Sequence, residues 1–211
     1  MTAPDPTPVP ADRPAHLRVL RGRDAVDVPA AEQAVVALLR ALGRDPVDAH
    51  LADTPRRVAD AFAELLTPPP FDLTTFPNDE GYNELVMATA IPVQSLCEHH
   101  LLPFVGVAHI GYLPGERILG LSKLARVLDL FARDLQVQER LTQQVADWLQ
   151  DNLNPRGVGV VIEAEHLCMS LRGVRARGAR TTTSALHGVL REDARTRSEF
   201  FALSGMRGRP E

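Results

Sequence analysis

Cys97 and Cys168 are the only cysteines in this 211-residue chain, and each stands within three positions of a histidine. In Cys97-Glu98-His99-His100 the thiol and His100 are three apart, which brings two side chains to one face of a turn or of a first helical turn. In His166-Leu167-Cys168 the pair is two apart, the spacing that shares a face on a strand. Thiolate and imidazole are zinc ligands, and two short pairs on separate elements can close on one ion. A catalytic zinc keeps three protein ligands and an open position, whereas a structural zinc is closed by four. Cys97, His99, His100, His166 and Cys168 exceed either need, so at least one histidine is left for proton transfer. A buried thiol near a histidine is ordinary when it occurs singly. Two such pairs in a chain with no other cysteine make the informative pattern.

A second group is built for anions. Gly120-Leu121-Ser122-Lys123-Leu124-Ala125-Arg126 opens a helix, whose first turn offers unpaired N–H groups and the positive end of the dipole. Lys123 and Arg126 are three apart and share a face. Of the 23 basic residues only Lys123 is a lysine, so an ammonium is kept at one place. This arrangement can hold a polyphosphate, and the chain has no GxxxxGK[ST] run to do so otherwise. Arg172, Arg175, Arg177 and Arg180 follow Cys168 closely and can complete an anion site. A solvated helix start and a solvated basic loop are the plain alternatives. Gln138-Glu139 begins a further helix, where an acidic residue suits the dipole. Were the ligand a guanine nucleotide, the carboxylate could accept from both the ring N–H and the exocyclic amine.

The elements that must position these residues can be read from periodicity. With 45% hydrophobic and 24% charged residues the chain has the composition of a globular protein with one main core. Its formal charge of −4 argues against a general nucleic-acid binder. Residues 1–28, rich in proline and charge, read as a disordered tail with no signal-like or membrane-spanning apolar run. Two ligand-like thiols make a cytoplasmic location the default. A helix is expected from Pro29 to Gly43, and a second from Thr54 as N-cap through Leu66, packed as a hairpin. Residues 71–84 read as a connecting loop, which gives a 29–84 segment of hairpin and linker.

From there the pattern becomes extended. Strands are expected over 85–96 and 104–113 with the Cys97 turn between them. Two amphipathic helices follow. The first is capped by Ser122 and carries Leu124, Val127, Leu128 and Phe131; the second carries Leu141, Val145, Trp148 and Leu149. A core strand over 158–169 places His166 and Cys168 on one face. The loop 173–180, a strand over 181–186 and a short helix over 195–203 complete the chain. This order predicts an α+β fold, an antiparallel sheet with helices on one side.

Five motifs in order resemble those of GTP cyclohydrolase I of the zinc-dependent type: Ser95 to His100, Gly120 to Arg126, Leu135 to Thr142, His166 to Met169 with Arg172-Gly173, and Thr181 to Ser184. The resemblance runs from about Thr54-Pro55-Arg56-Arg57-Val58 to about Phe200. It implies the tunnelling fold over 85–205, a four-stranded antiparallel ββααββ sheet, and a homodecamer of two pentamers with active sites at subunit junctions. It further implies Zn²⁺ held by Cys97, His100 and Cys168, with His99 and His166 as the acid and base. Gln138 and Glu139 would anchor the base of GTP. Ser122, which also stands with the catalytic residues, would hold the triphosphate together with Lys123, Arg126 and Arg172. The implied reaction is hydrolytic opening of the guanine imidazole ring. It begins with attack on C8 by a water that zinc acidifies, releases formate and yields 7,8-dihydroneopterin triphosphate, the entry to folate and pterin synthesis. The match is loose at Ser170-Leu171 and at Ala179-Arg180, and residues 1–28 have no counterpart in it.

The rival reading from another class is a non-catalytic zinc-stabilised protein of the same fold that binds a nucleotide or pterin. It needs a fourth protein ligand, for which His99 or His166 is available. A zinc nucleoside deaminase is set aside because its HxE and PCxxC signature is absent.

Overall fold

A computed structural model describes the strand at 15–19 and residues 26–205. Most of the expected 1–28 tail therefore lies outside the described residues. The part inside differs from expectation: Ala15–Val19 is a strand, β1, paired antiparallel with β2, Phe71–Pro77. That second strand is also a correction, since 71–84 read as loop. Its alternation of buried Phe71, Leu73 and Thr75 with more exposed neighbours is the period-two pattern of a strand, hidden in the sequence by the surrounding prolines. β5, Arg117–Leu119, closes this three-stranded sheet.

Two helices precede β2 and pack on each other: α1, Val28–Ala41, and α2, Thr54–Leu66. The Asp27 carboxylate accepts from Ala30 N at 3.0 Å and so caps α1, and Gly43 follows its end at φ +72°. At α2 the N-cap is Asp53, one residue before the expected Thr54, and its carboxylate accepts from Arg57 Nη2 at 2.9 Å across one turn. No residue of α1 is buried, and Leu38 and Leu42 are exposed.

The main sheet has the order β6-β3-β4-β7-β8. Its four long strands, β3 (Val86–Cys97), β4 (Pro103–Leu113), β7 (Gly157–His166) and β8 (Thr181–Gly188), run antiparallel. Between them stand α3, Ser122–Ala132, and α4, Gln138–Leu153, which gives the expected ββααββ order. The two-residue β6, Leu135–Gln136, adds a short parallel edge beside Leu96 and Cys97. Leu124, Val127 and Leu128 of α3 and Leu141, Val145 and Leu149 of α4 are essentially sealed in one core cluster with Val158, Val160 and Ile162 of β7. Each such side chain contributes roughly 1.5–3 kcal/mol through burial.

β7 is buried on both faces, because the chain's last helices cover part of the opposite side. Leu190 of α6, Val189–Glu192, and Phe200 of α7, Ala194–Leu203, pack there with Leu113 and Val161. Paired glycines Gly111 and Gly159 make the flat seat for the Phe200 ring, whose atoms a Cβ at Gly159 would meet at 2.7 Å.

Candidate metal and nucleotide site

Antiparallel pairing brings the ends of β3 and β7 and the starts of β4 and β8 to one edge of the sheet, where α4 also begins. Cys97 ends β3, and the chain turns back at once: Cys97 O accepts from His100 N at 3.2 Å and from Leu101 N at 2.9 Å. Leu101 takes a left-handed φ of 54° to complete the turn. The expected strand carrying both His166 and Cys168 ends instead at His166. Cys168 lies in the short helix α5, Leu167–Ser170, for which His166 in extended conformation is the N-cap. That bend points the Cys168 thiol back at the β3 turn.

Cys97 Sγ lies 4.0 Å from Cys168 Sγ and 3.7 Å from His100 Nδ1, and the ligand atoms of the three residues all fall within 4.8 Å of one another. Tetrahedral zinc with its usual bond lengths separates two sulfurs by about 3.8 Å and a sulfur and a nitrogen by about 3.6 Å. The donor set and spacing therefore fit such an ion. Burial, and then the neighbouring Cys97, push the Cys168 thiol up from its ordinary range. A dication between them reverses that preference by stabilising the thiolate. Arg172 Nη1 is 3.2 Å from His100 Nε2 on the outer side.

His166 and His99 adjoin the cluster in different settings. His99 is 64% exposed, with Nδ1 3.9 Å from Cys97 Sγ and Nε2 3.7 Å from Glu98 Oε1. His166 stacks on Phe104, its register partner on β4, with ring centroids 4.7 Å apart. Burial lowers its pKa, and the Glu139 carboxylate offsets part of that shift. Glu139 is exposed in the first turn of α4, whereas Gln138 beside it is 1% exposed and faces into the fold.

Several contributors carry no sequence signal of their own. Arg140 ties the turn to α4, because its guanidinium donates to Glu98 Oε2, to Gln136 Oε1 at 3.0 Å and to Leu135 O at 2.9 Å. Glu98 N in turn donates to Gln136 O at 3.0 Å. Phe104 is an ordinary strand aromatic until the β4–β7 register places it on His166.

The resulting pocket, about 250 Å³, is lined by Cys97, His99, His100, Glu139, His166 and Cys168 with Val137, Met169, Thr181 and the two glutamines. A larger groove of about 410 Å³ between β3, β4 and α3 has Asp129 as its one titratable side chain, which is paired with Arg133. The chemistry thus belongs to the smaller one. No Lys or Arg lines it. Ser122, Lys123 and Arg126 sit at the start of α3, and α3 runs about 16 Å from there to the Cys97 end of the sheet. Ser122 is also not the cap expected of it: the N-cap is Leu121, and no side chain caps the helix. Its hydroxyl is left exposed beside the half-buried Lys123.

Fold and site together define a class: an α+β protein with a pocket whose two cysteines and one histidine are spaced to hold a metal, and two further histidines beside it. The family model for GTP cyclohydrolase I matches residues 31–205. GTP cyclohydrolase 1 of Mycobacterium ulcerans is 56% identical over 185 residues, 85% of this chain and 91% of that protein. The proteins of that name from Thermobifida fusca and Aquifex aeolicus are 53% and 51% identical, covering 84% and 85% of this chain and 88% and 97% of theirs. Among solved structures, the archaeosine synthase QueF-Like in the apo form matches 49% of this chain and 93% of its own at 17% identity and a TM-score of 0.40. The chain belongs to the GTP cyclohydrolase I family.

Proposed function

We propose that this pocket opens the imidazole ring of GTP by hydrolysis, releasing formate and giving 7,8-dihydroneopterin triphosphate. The observation that carries the reading is the convergence of Cys97, His100 and Cys168 within 4.8 Å beside His166 and an exposed Glu139. Zinc held by these three residues supplies Lewis-acid activation of water at neutral pH. His166, whose pKa burial lowers, takes a proton in the pocket, and His99 at its exposed mouth exchanges protons with solvent. Glu139 accepts from the ring N–H and exocyclic amine of guanine, a donor pair that adenine lacks. Arg172 reaches the pocket edge and holds phosphate there.

One guanidinium at the edge of a pocket with no lining Lys or Arg leaves most of a triphosphate's charge unmatched. We assign Ser122, Lys123 and Arg126 to the triphosphate as well, supplied by a neighbouring copy at a subunit junction. The uncovered Leu38 on α1 and Leu42 at its C-cap support an assembly larger than one chain, and a decamer of two pentamers is the form the resemblance implies. The hairpin and linker at 29–84 then serve assembly, and 85–205 forms the catalytic unit. Free thiols in a ligand role fit a cytoplasmic location, and no helix among the described residues is long and apolar enough to cross a membrane.

The test is mass-spectrometric product analysis of zinc-loaded protein with GTP, beside ATP and a chelator-treated control. Formate and the dihydroneopterin product from GTP alone, and only with metal, is the expected result. Unchanged GTP with zinc demonstrably bound would leave the non-catalytic zinc protein as the better reading.

A further inference from the structure

The hydrogen bonds around Gln138 assign its amide without ambiguity. Its Nε2 lies 3.0 Å from Ile162 O, 2.9 Å from Thr181 O and 3.1 Å from Thr183 Oγ1. Carbonyl oxygens only accept, so this end of the side chain is the NH₂ group. The hydroxyls agree. Thr142 donates to Gln138 O at 2.7 Å, so its oxygen accepts from the Thr183 hydroxyl at 2.6 Å, and the Thr183 oxygen is left to accept from Gln138. Every donor in the ring is used. Oε1 of Gln138 therefore faces His166 Nε2, 2.8 Å away, as an acceptor.

An imidazole nitrogen that meets an acceptor must carry hydrogen. In the neutral ring this leaves the lone pair on Nδ1. That atom has no protein partner among the described residues and is not sealed off, in contrast to the buried and unpartnered His109 Nδ1. Stacking on Phe104 at 12° fixes the ring plane.

We infer that Gln138 is a positioning residue that locks His166 in the Nε2–H tautomer and so leaves the lone pair on Nδ1. That Nδ1 takes a proton from the reacting purine rests on the cyclohydrolase reading; the tautomer does not.

The test begins with protein ¹⁵N-labelled at histidine, zinc-loaded and sedimented for solid-state NMR. The His166 signals are identified by their loss in His166→Asn. A pyrrole-type Nε2 and a pyridine-type Nδ1 are expected in the wild type, and a tautomer mixture in Gln138→Met. An Nδ1–H ring in the wild type overturns the inference, and this readout needs no turnover. In steady-state assays Gln138→Met should lose at least about tenfold in kcat with KM for GTP within about twofold. A raised KM with kcat unchanged would return Gln138 to the substrate. Should that variant fail to fold, Thr183→Val removes one acceptor and breaks the hydroxyl ring while keeping both carbonyls. A smaller kcat loss at constant KM is expected from it, and a raised KM again overturns the inference. If the wild type proves inactive on GTP, the spectra still decide the tautomer.

Discussion

The two ends of the main sheet differ in how much of a site one chain can build. At the end where β3 and β7 finish, four strands and α4 bring two thiols and three histidines around one pocket. At the other end Ser122, Lys123 and Arg126 open α3 with cationic groups but meet no thiol or histidine pocket, and α3 keeps the two about 16 Å apart. Metal ligands must converge to within a few ångströms, so they need the rigid register of neighbouring strands. A long, flexible triphosphate sets no such tolerance on the groups that hold it. The first end gathers its candidate ligands within one chain, and the second is the one proposed above to serve a neighbouring copy.

The largest effect that can break this contrast is at the metal end. Cys168→Ala should abolish both metal content and turnover, measured by elemental analysis and GTP assay; a full equivalent of zinc in the variant would remove Cys168 from the ligand set. The sharpest test of the division uses two inactive proteins together. Lys123→Ala alone should lose most activity while keeping its metal. Co-assembled 1:1 with Cys168→Ala, it should recover about a quarter of wild-type activity, since random mixing leaves that share of junctions with both halves intact. No recovery in verified mixed oligomers would place both halves in one chain.

Smaller changes sharpen the assignment within the pocket. Glu139→Gln should keep its metal and lose about 10- to 100-fold in kcat/KM for GTP, the worth of a charge-assisted hydrogen-bond pair. An unchanged kcat/KM would take guanine recognition away from Glu139. The smallest effect is expected outside both ends. Asp193 caps α7 by accepting from Thr196 N and Oγ1, both at 2.8 Å, and these bonds hold its carboxyl below the ordinary range. Its contribution to stability is present above the ordinary carboxylate pKa and fades as the pH falls through the depressed folded value. Asp193→Ala should therefore lower the melting temperature slightly at neutral pH, less so in acid, and leave kcat unchanged. A changed kcat would show that α7 reaches the site.

Legibility followed the range of the signal. The α3 and α4 stripes, the turn at Cys97 and the succession of strands and helices along the chain were visible because each rests on neighbours within a few positions. β2 was missed because Phe71, Leu73 and Thr75 alternate for only a few residues among prolines, and its pairing partners β1 and β5 are distant in sequence. Cys168 was read on a strand because spacing two fits one; the chain bends after His166, which local pattern could not reveal. Gln138 and Glu139 looked alike at a helix start. The first faces inward to β7 and β8 and the second outward, a difference set by the packing of α4.

By itself the sequence determined the chemical inventory: which residue types are present, the short spacings within each ligand pair, and the periodicities that make strands and helices. Those depend on covalent neighbours and on one turn or one pleat. Only the tertiary structure decided that the two pairs meet, that Phe104 lies flat on His166, that Arg140 braces the metal turn, and that Lys123 stands at the far end of the sheet. Each of these is a relation between residues remote in the chain, fixed by strand register and by burial of the helix faces, and no local pattern encodes it.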